Sequence, residues 1–176
     1  MVQKTFNIHA AFRGAARRVF ARSPKVRQVL MAGRREIPKY NKDGTRAKKD
    51  AVQYSCEVCL LWVGSSYICV DHKDPVISID SFVDWNTFYE RLDCPISNLQ
   101  RICDDCHQKK TNKERFERIY AKEQSELNCA LSQVWNSEEK KIFLKKFTNK
   151  RLAKFPYPQD FKDSIKALKL SLNMKV

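Results

Sequence analysis

Apolar residues recur at helical intervals in IHAAFRGAARRVF, where Ile8, Phe12, Ala15, Ala16 and Val19 share one face while Arg13 and Arg17 share another. That spacing predicts a short basic amphipathic helix stopped near Pro24, then a second piece ending by Pro38. NKDGTRAKKD has turn chemistry at Asp43-Gly44 and few apolar residues, and reads as a linker or long loop. LLWVGSSYICVDH reads as two short strands joined at Gly64-Ser65-Ser66. In DSFVDWNTFYERL, the residues Phe82, Trp85, Phe88, Tyr89 and Leu92 line one stripe, which predicts a core-packed helix capped by Asp80 or Ser81. A charged helix is expected to start around Cys106 and run through CHQKKTNKERFERIYAKE. SEEKKIFLKKF and, past the breaker PYPQD, FKDSIKALKLSL read as two further basic amphipathic helices. The chain shows no internal repeat and no low-complexity tract.

Charge divides the chain the same way. Residues 1–50 carry a net +11, residues 51–115 a net −3 and residues 116–176 a net +6, for +14 overall. The expected organisation is a basic helical arm and linker over 1–50, a central module over 51–120 and a basic helical extension over 121–176. Such a charge favours a polyanionic partner, nucleic acid ahead of a membrane surface, and no run approaches the ~18–20 apolar residues of a transmembrane helix. No acid precedes Glu36, a property shared with mitochondrial targeting segments. Serine is scarce, however, and the basic run continues through KYNKDGTRAKKD, so an arm holding nucleic acid through Arg13, Arg17 and Arg18 accounts for more of it. A merely solvated basic face is the alternative.

Seven cysteines, an odd number without a secretory signal before them, point to a reducing compartment such as the cytoplasm and to metal ligation. Four form two C-x-x-C pairs, Cys56 with Cys59 and Cys103 with Cys106. Four thiolates complete a tetrahedral zinc shell. Zinc ribbons place about 15–20 residues between such pairs, whereas residues 60 to 102 intervene here, so the metal would close a long loop. Cys69, Cys94 and Cys129 read as small buried apolar residues.

Inside that loop, YICVDHKDPV puts Asp71 and His72 where a strand would end before Pro75. His107 follows Cys106 directly and cannot enter a filled zinc shell. With Asp71 it could form a second, open site. One carboxylate and one imidazole would leave most positions of an octahedral Mg²⁺ or Mn²⁺ to water and a phosphate oxygen. His72 could then take a proton from the attacking water, while Lys109 or Lys110 neutralises phosphate charge. That is the chemistry of phosphodiester hydrolysis.

Together CEVC, VDHKDPV and NLQRICDDCHQKKT, between residues 54 and 115, resemble the HNH endonuclease family in its zinc-containing branch. The resemblance implies an α+β fold with a small ββα-metal, treble-clef-like core stapled by one structural zinc on Cys56, Cys59, Cys103 and Cys106. It implies His72 as general base, Asp71 and His107 as ligands of the catalytic cation, and Asn98 as the residue whose side chain holds the base-bearing loop. Many members join the two halves by a shorter, Gly-rich connection. This chain has SFVDWNTFYERLDCPIS instead, similar to small bacteriophage HNH proteins. The expected function is a metal-dependent DNA endonuclease. Its rivals are a non-catalytic zinc-stapled nucleic-acid-binding protein and a nuclease component of a phage packaging machine. A binding-only module has no need of Asp-His and Cys-His at these places together.

Overall fold

The computed structural model describes residues 7–76, 84–132 and 134–174, and its order of helices and short sheets is α+β. Among these residues no helix is long and apolar enough to cross a membrane. The chain forms two compact units, Met1–Thr111 and Asn112–Val176.

The first unit opens with α1 (Ile8–Phe20), capped by the Asn7 side chain on the Ala10 amide. Its apolar stripe does not face a core: Ile8, Phe12 and Val19 are 53%, 55% and 74% exposed. Phe20, one position off that stripe, is the residue that packs inward. Helix α2 (Pro24–Ala32) has Pro24 in its first turn, where the missing amide costs nothing, and Ser23 as N-cap. It ends at Gly33, ahead of Pro38. The chain then enters β1 (Arg34–Ile37), which pairs antiparallel with β2 (Ala51–Ser55), and β2 pairs with β3 (Trp62–Gly64).

The segment read as a linker or long loop is the loop joining β1 to β2, closed by hydrogen bonds. Asn41 N–H donates to Thr45 O at 2.8 Å and Ala47 N–H to Lys39 O at 2.8 Å. Gly44 takes φ +82°, a conformation only glycine adopts without strain.

A single 3-10 turn, Ser65–Tyr67, separates β3 from β4 (Ile68–His72). The two are not partners, although their closeness in sequence suggests a hairpin. β4 pairs with β5 (Leu99–Cys103) in a separate two-stranded sheet, from Ile68 opposite Cys103 to His72 opposite Leu99. Between these strands lies α3 (Trp85–Leu92), which buries Phe88 and Leu92 and leaves Tyr89 exposed. Its cap is Asp84, whose carboxylate accepts the Thr87 amide at 2.8 Å. The caps expected at Asp80 or Ser81, and Phe82 of the stripe, lie outside the described residues. Helix α4 (Asp104–Leu131) starts at the second C-x-x-C, with Asp104 and Asp105 complementing the positive end of its dipole.

Arg101 ties this unit together. Its guanidinium donates to Val29 O at the end of α2 and to Ser55 O of β2, and pairs with Glu57 at 3.0 Å. Gly33 lies directly beneath it. A Cβ there would overlap the Arg101 Nε and come within 2.7 Å of Ser55 Oγ.

In the second unit α5 (Ser137–Lys145), α6 (Asn149–Lys154) and α7 (Gln159–Ser171) pack with Leu127 and Ala130 of α4. The periodic pattern marks α5 and α7, and α5 carries a full capping box at Asn136 and Glu139. The core is aromatic: Phe143, Phe147, Tyr157 and Phe161 are buried with Leu144, Leu152 and Ile165. Buried Glu123 accepts the Tyr157 hydroxyl at 2.6 Å and pairs with Arg151. Buried Lys169 donates to Phe147 O at 2.6 Å.

Gly33→Ala is expected to cost about 1–3 kcal/mol through overpacking against Arg101. Thermal unfolding followed by tryptophan fluorescence reads it, and an unchanged midpoint would mean that the Arg101 clamp can shift aside.

Candidate functional site

Two backbone turns bring the four cysteines together. Cys56 and Cys59 sit on the knuckle between β2 and β3, closed by Cys56 N–H to Leu61 O and Leu60 N–H to Cys56 O, both at 2.9 Å. Cys103 ends β5 and Cys106 lies in the first turn of α4. The four sulphur atoms all fall within 4.8 Å of one another, with Cys59 and Cys103 sulphurs 3.7 Å apart. Zinc–sulphur bonds of about 2.3 Å in a tetrahedron place the sulphurs about 3.8 Å apart. The donor set and its spacing can therefore hold a metal ion such as zinc.

Within the cluster, amide donors, burial and neighbouring sulphurs shift the thiols in opposite directions. Burial raises the Cys56 thiol, but amide donors from Cys59, Cys103 and Val58 outweigh it and bring it down to about 6. The hydrogen bond with Cys103, and then burial, push Cys106 up to about 12. Four thiolates this close cannot all ionise without a positive ion among them. Cys69 lies outside the cluster. Burial, then the Asp71 carboxylate, push it up to about 11, and its Sγ–H donates to Ile102 O.

Strand β4 delivers Asp71 and His72, and adjacent strand residues point to opposite faces. Asp71 meets α4: its Oδ1 lies 4.0 Å from His107 Nε2 and its Oδ2 2.9 Å from Lys110 Nζ. His107 and Lys110 are three residues apart on the helix and so share the face turned to Asp71. His72 turns the other way, with Nε2 2.8 Å from Leu92 O and its ring 5.1 Å from that of Phe20. A carbonyl can only accept, so Nε2 carries the hydrogen, and in a neutral ring Nδ1 would hold the lone pair. Asn98 fastens the loop after His72: its Oδ1 accepts the Asp74 amide at 3.0 Å and its carbonyl accepts the Lys73 amide at 2.7 Å.

The structure thus brings Asp71, His107 and Lys110 together and holds His72 and Asn98 at the adjoining strand end. Lys110 meets Asp71, whereas Lys109 is exposed. On α1, Arg17 and Arg18 are exposed and Arg13 is half-buried. Among the described residues the four cysteines are the one group of three or more candidate ligands, so Asp71 and His107 would supply two protein ligands. Sequence reasoning missed Phe20 and the Leu92 carbonyl, which hold the His72 ring. It also missed Glu57, whose carboxylate sits on Arg101. Only the hydrophobic character of Phe20 is visible locally, and its contact is made by tertiary packing. No protein-family model, curated protein or solved structure matches the chain.

Metal affinity at the cysteines should fall as pH falls, because acid returns protons to thiolates that the metal must displace. Zinc release to a chromophoric chelator, titrated from pH 8 downward, checks this, and Cys103→Ser should release zinc and unfold the first unit. Leu60, 76% exposed, holds φ +62° in the knuckle. Leu60→Gly should stabilise the protein by about 1 kcal/mol, since a side-chain-bearing residue is strained there and glycine is not. A lower melting temperature would show that the Leu60 side chain contributes more than its backbone costs.

Proposed function

We propose that this protein is a metal-dependent DNA endonuclease of the HNH type, hydrolysing phosphodiester bonds on a ββα-metal core formed by β4, β5 and α4. The observation that carries the reading is the Asp71–His107 pair, facing across 4.0 Å, with His72 the next residue of the strand, its ring on the other face, at a strand end fastened by Asn98. The donor chemistry, one carboxylate and one imidazole, suits Mg²⁺ or Mn²⁺. A divalent cation bound there supplies charge stabilisation for the leaving oxygen.

The chain's own groups do the rest. Leu92 O fixes the His72 tautomer, so Nδ1 is the basic nitrogen that takes the proton of the attacking water. Asn98 keeps the loop carrying that histidine in register with β5. Lys110 neutralises the second oxygen of Asp71 and keeps the carboxylate turned to α4. Lys109 and the α1 residues Arg13, Arg17 and Arg18 hold DNA phosphates without reading sequence. The structural zinc on the four cysteines fits a reducing compartment such as the cytoplasm, a host cytoplasm if the chain is phage-encoded.

A second reading, a zinc-stapled nucleic-acid-binding protein without catalysis, has one observation in its favour. Lys110 already satisfies Asp71, and Leu92 O already satisfies His72, as they would in a purely structural arrangement.

A plasmid-cleavage assay with Mg²⁺ or Mn²⁺ separates the two. Wild type should nick or linearise the plasmid, and His72→Ala should lose about 10²–10⁴-fold in rate while retaining zinc and salt-sensitive DNA binding. Equal cutting by His72→Ala would remove that residue as the base. Tight binding by a wild type that never cuts would favour the binding module.

A further inference from the structure

The hairpin end between β1 and β2 holds a hollow of about 510 Å³, walled by Arg34, Glu36, Arg46, Lys48, Lys49 and Asp50. Its two acids are already matched: Arg34 pairs with Glu36, and Arg46 with Asp50 at 3.2 Å. Lys48 and Lys49 are exposed, and no ion pair is described for either. The hollow therefore carries an uncompensated double positive charge. Segment 34–50 as a whole has seven Lys and Arg against three acids.

The hollow is also held in shape. The Tyr40–Arg46 bridge, the Lys39–Ala47 hydrogen bond and the Asn41–Thr45 turn close the loop. The Asp43 carboxylate adds a bond to the Thr45 hydroxyl at 2.6 Å, and Asn41 Nδ2 donates to the same hydroxyl at 2.9 Å. Cations on a closed hairpin lose less freedom on meeting an anion than cations on a loose arm. β2 leads directly into Cys56, so the hairpin belongs to the same compact unit as the cysteine cluster and Asp71.

We infer that this hairpin is a second, preformed phosphate-binding site for the backbone of duplex DNA, with Lys48 and Lys49 as its contacting cations. The inference rests on the DNA-directed reading above, and does not require that the protein cut. A mononucleotide is the poorer occupant, because no aromatic ring lines the hollow to take a base. A run of backbone phosphates needs only charge at the right spacing.

The test is duplex binding by the full-length, zinc-loaded protein. Fluorescence anisotropy of a short labelled duplex, without added Mg²⁺ or Mn²⁺, is followed between about 50 and 200 mM KCl. Lys48→Ala/Lys49→Ala should flatten the plot of log affinity against log salt by about 2 units, and Lys48→Arg/Lys49→Arg should restore it. Both side chains are exposed, and unchanged zinc content and circular dichroism would show that the fold survives. An unchanged slope in the alanine variant overturns the inference, as does a wild type that does not bind duplex at all. Loss of binding to phosphatidylserine vesicles with duplex binding intact would also overturn it, assigning the hollow to a lipid headgroup. A wild type that binds with the expected slope change and never cuts would sink the nuclease reading and leave this one standing.

Discussion

Four sulphur atoms within 4.8 Å of one another are the constraint on which the first unit depends. Cys59 and Cys103 are 44 positions apart, and closing so long a loop costs chain entropy before any contact rewards it. Among the described residues its buried clusters are small, with Tyr54, Phe88 and Leu92 buried outside them. One buried cluster has Val29, Cys94 and Leu99, and the other is Cys56, Ile102 and Cys103, two of its three members being ligands. A metal on those sulphurs would brace these separate clusters, as metals do in small domains that bury little surface. The second unit is built on the opposite principle. It has nine buried residues in one continuous cluster and no metal-ligand group among the described residues. A fully buried Phe or Leu side chain contributes ~1.5–3 kcal/mol, and Phe143, Phe147, Phe161, Leu127, Leu144 and Ile165 are all buried to that degree.

Within the first unit, Arg101 carries the order imposed by the cysteines outward. It sits two residues before Cys103, and it reaches α2, β2 and the Cys56–Cys59 knuckle through one side chain. The knuckle answers with the Glu57 amide, which donates to Arg101 O at 2.9 Å. Gly33 is required where it stands because the guanidinium passes where a side chain would be. The geometry at Asp71 and His72 depends on the same strand pair, since β4 is aligned by β5 and β5 is anchored by Arg101 and Cys103.

What the sequence made legible was what local chemistry decides. The two C-x-x-C pairs name their candidate ligands by spacing, α5 and α7 lie where 3.6-residue periodicity puts them, and α4 starts at the second C-x-x-C as read but runs on to Leu131. Asn98 was legible only through the resemblance, because no rule of spacing picks one asparagine from a loop. β1 was hidden because Arg34–Ile37 is four residues in a basic run, and its only evidence as a strand is a partner beginning at Ala51. The two strands around Gly64-Ser65-Ser66 were legible, but not that the turn at Ser65–Tyr67 passes the chain from one sheet to another, a choice made by β5 some thirty residues on. The apolar face of α1 is real as a pattern and yet stays in solvent, while Phe20 beside it packs on His72. Amphipathicity states that a helix has two faces; it does not state which of them finds a neighbour.

The Lys110–Asp71 ion pair bears on how the strand end behaves before any cation arrives. A carboxylate already carrying an internal ammonium at 2.9 Å is not an unbalanced charge. Under the proposed nuclease reading, an incoming divalent ion would have to share that carboxylate with a tethered competitor always present at high local concentration. Such competition weakens the grip on any ion and suits one that is plentiful and exchanges freely over one that is scarce and must be captured. The chain would then treat its two metals in opposite ways, holding one in a closed thiolate cage as part of its architecture and borrowing the other from the surrounding solution.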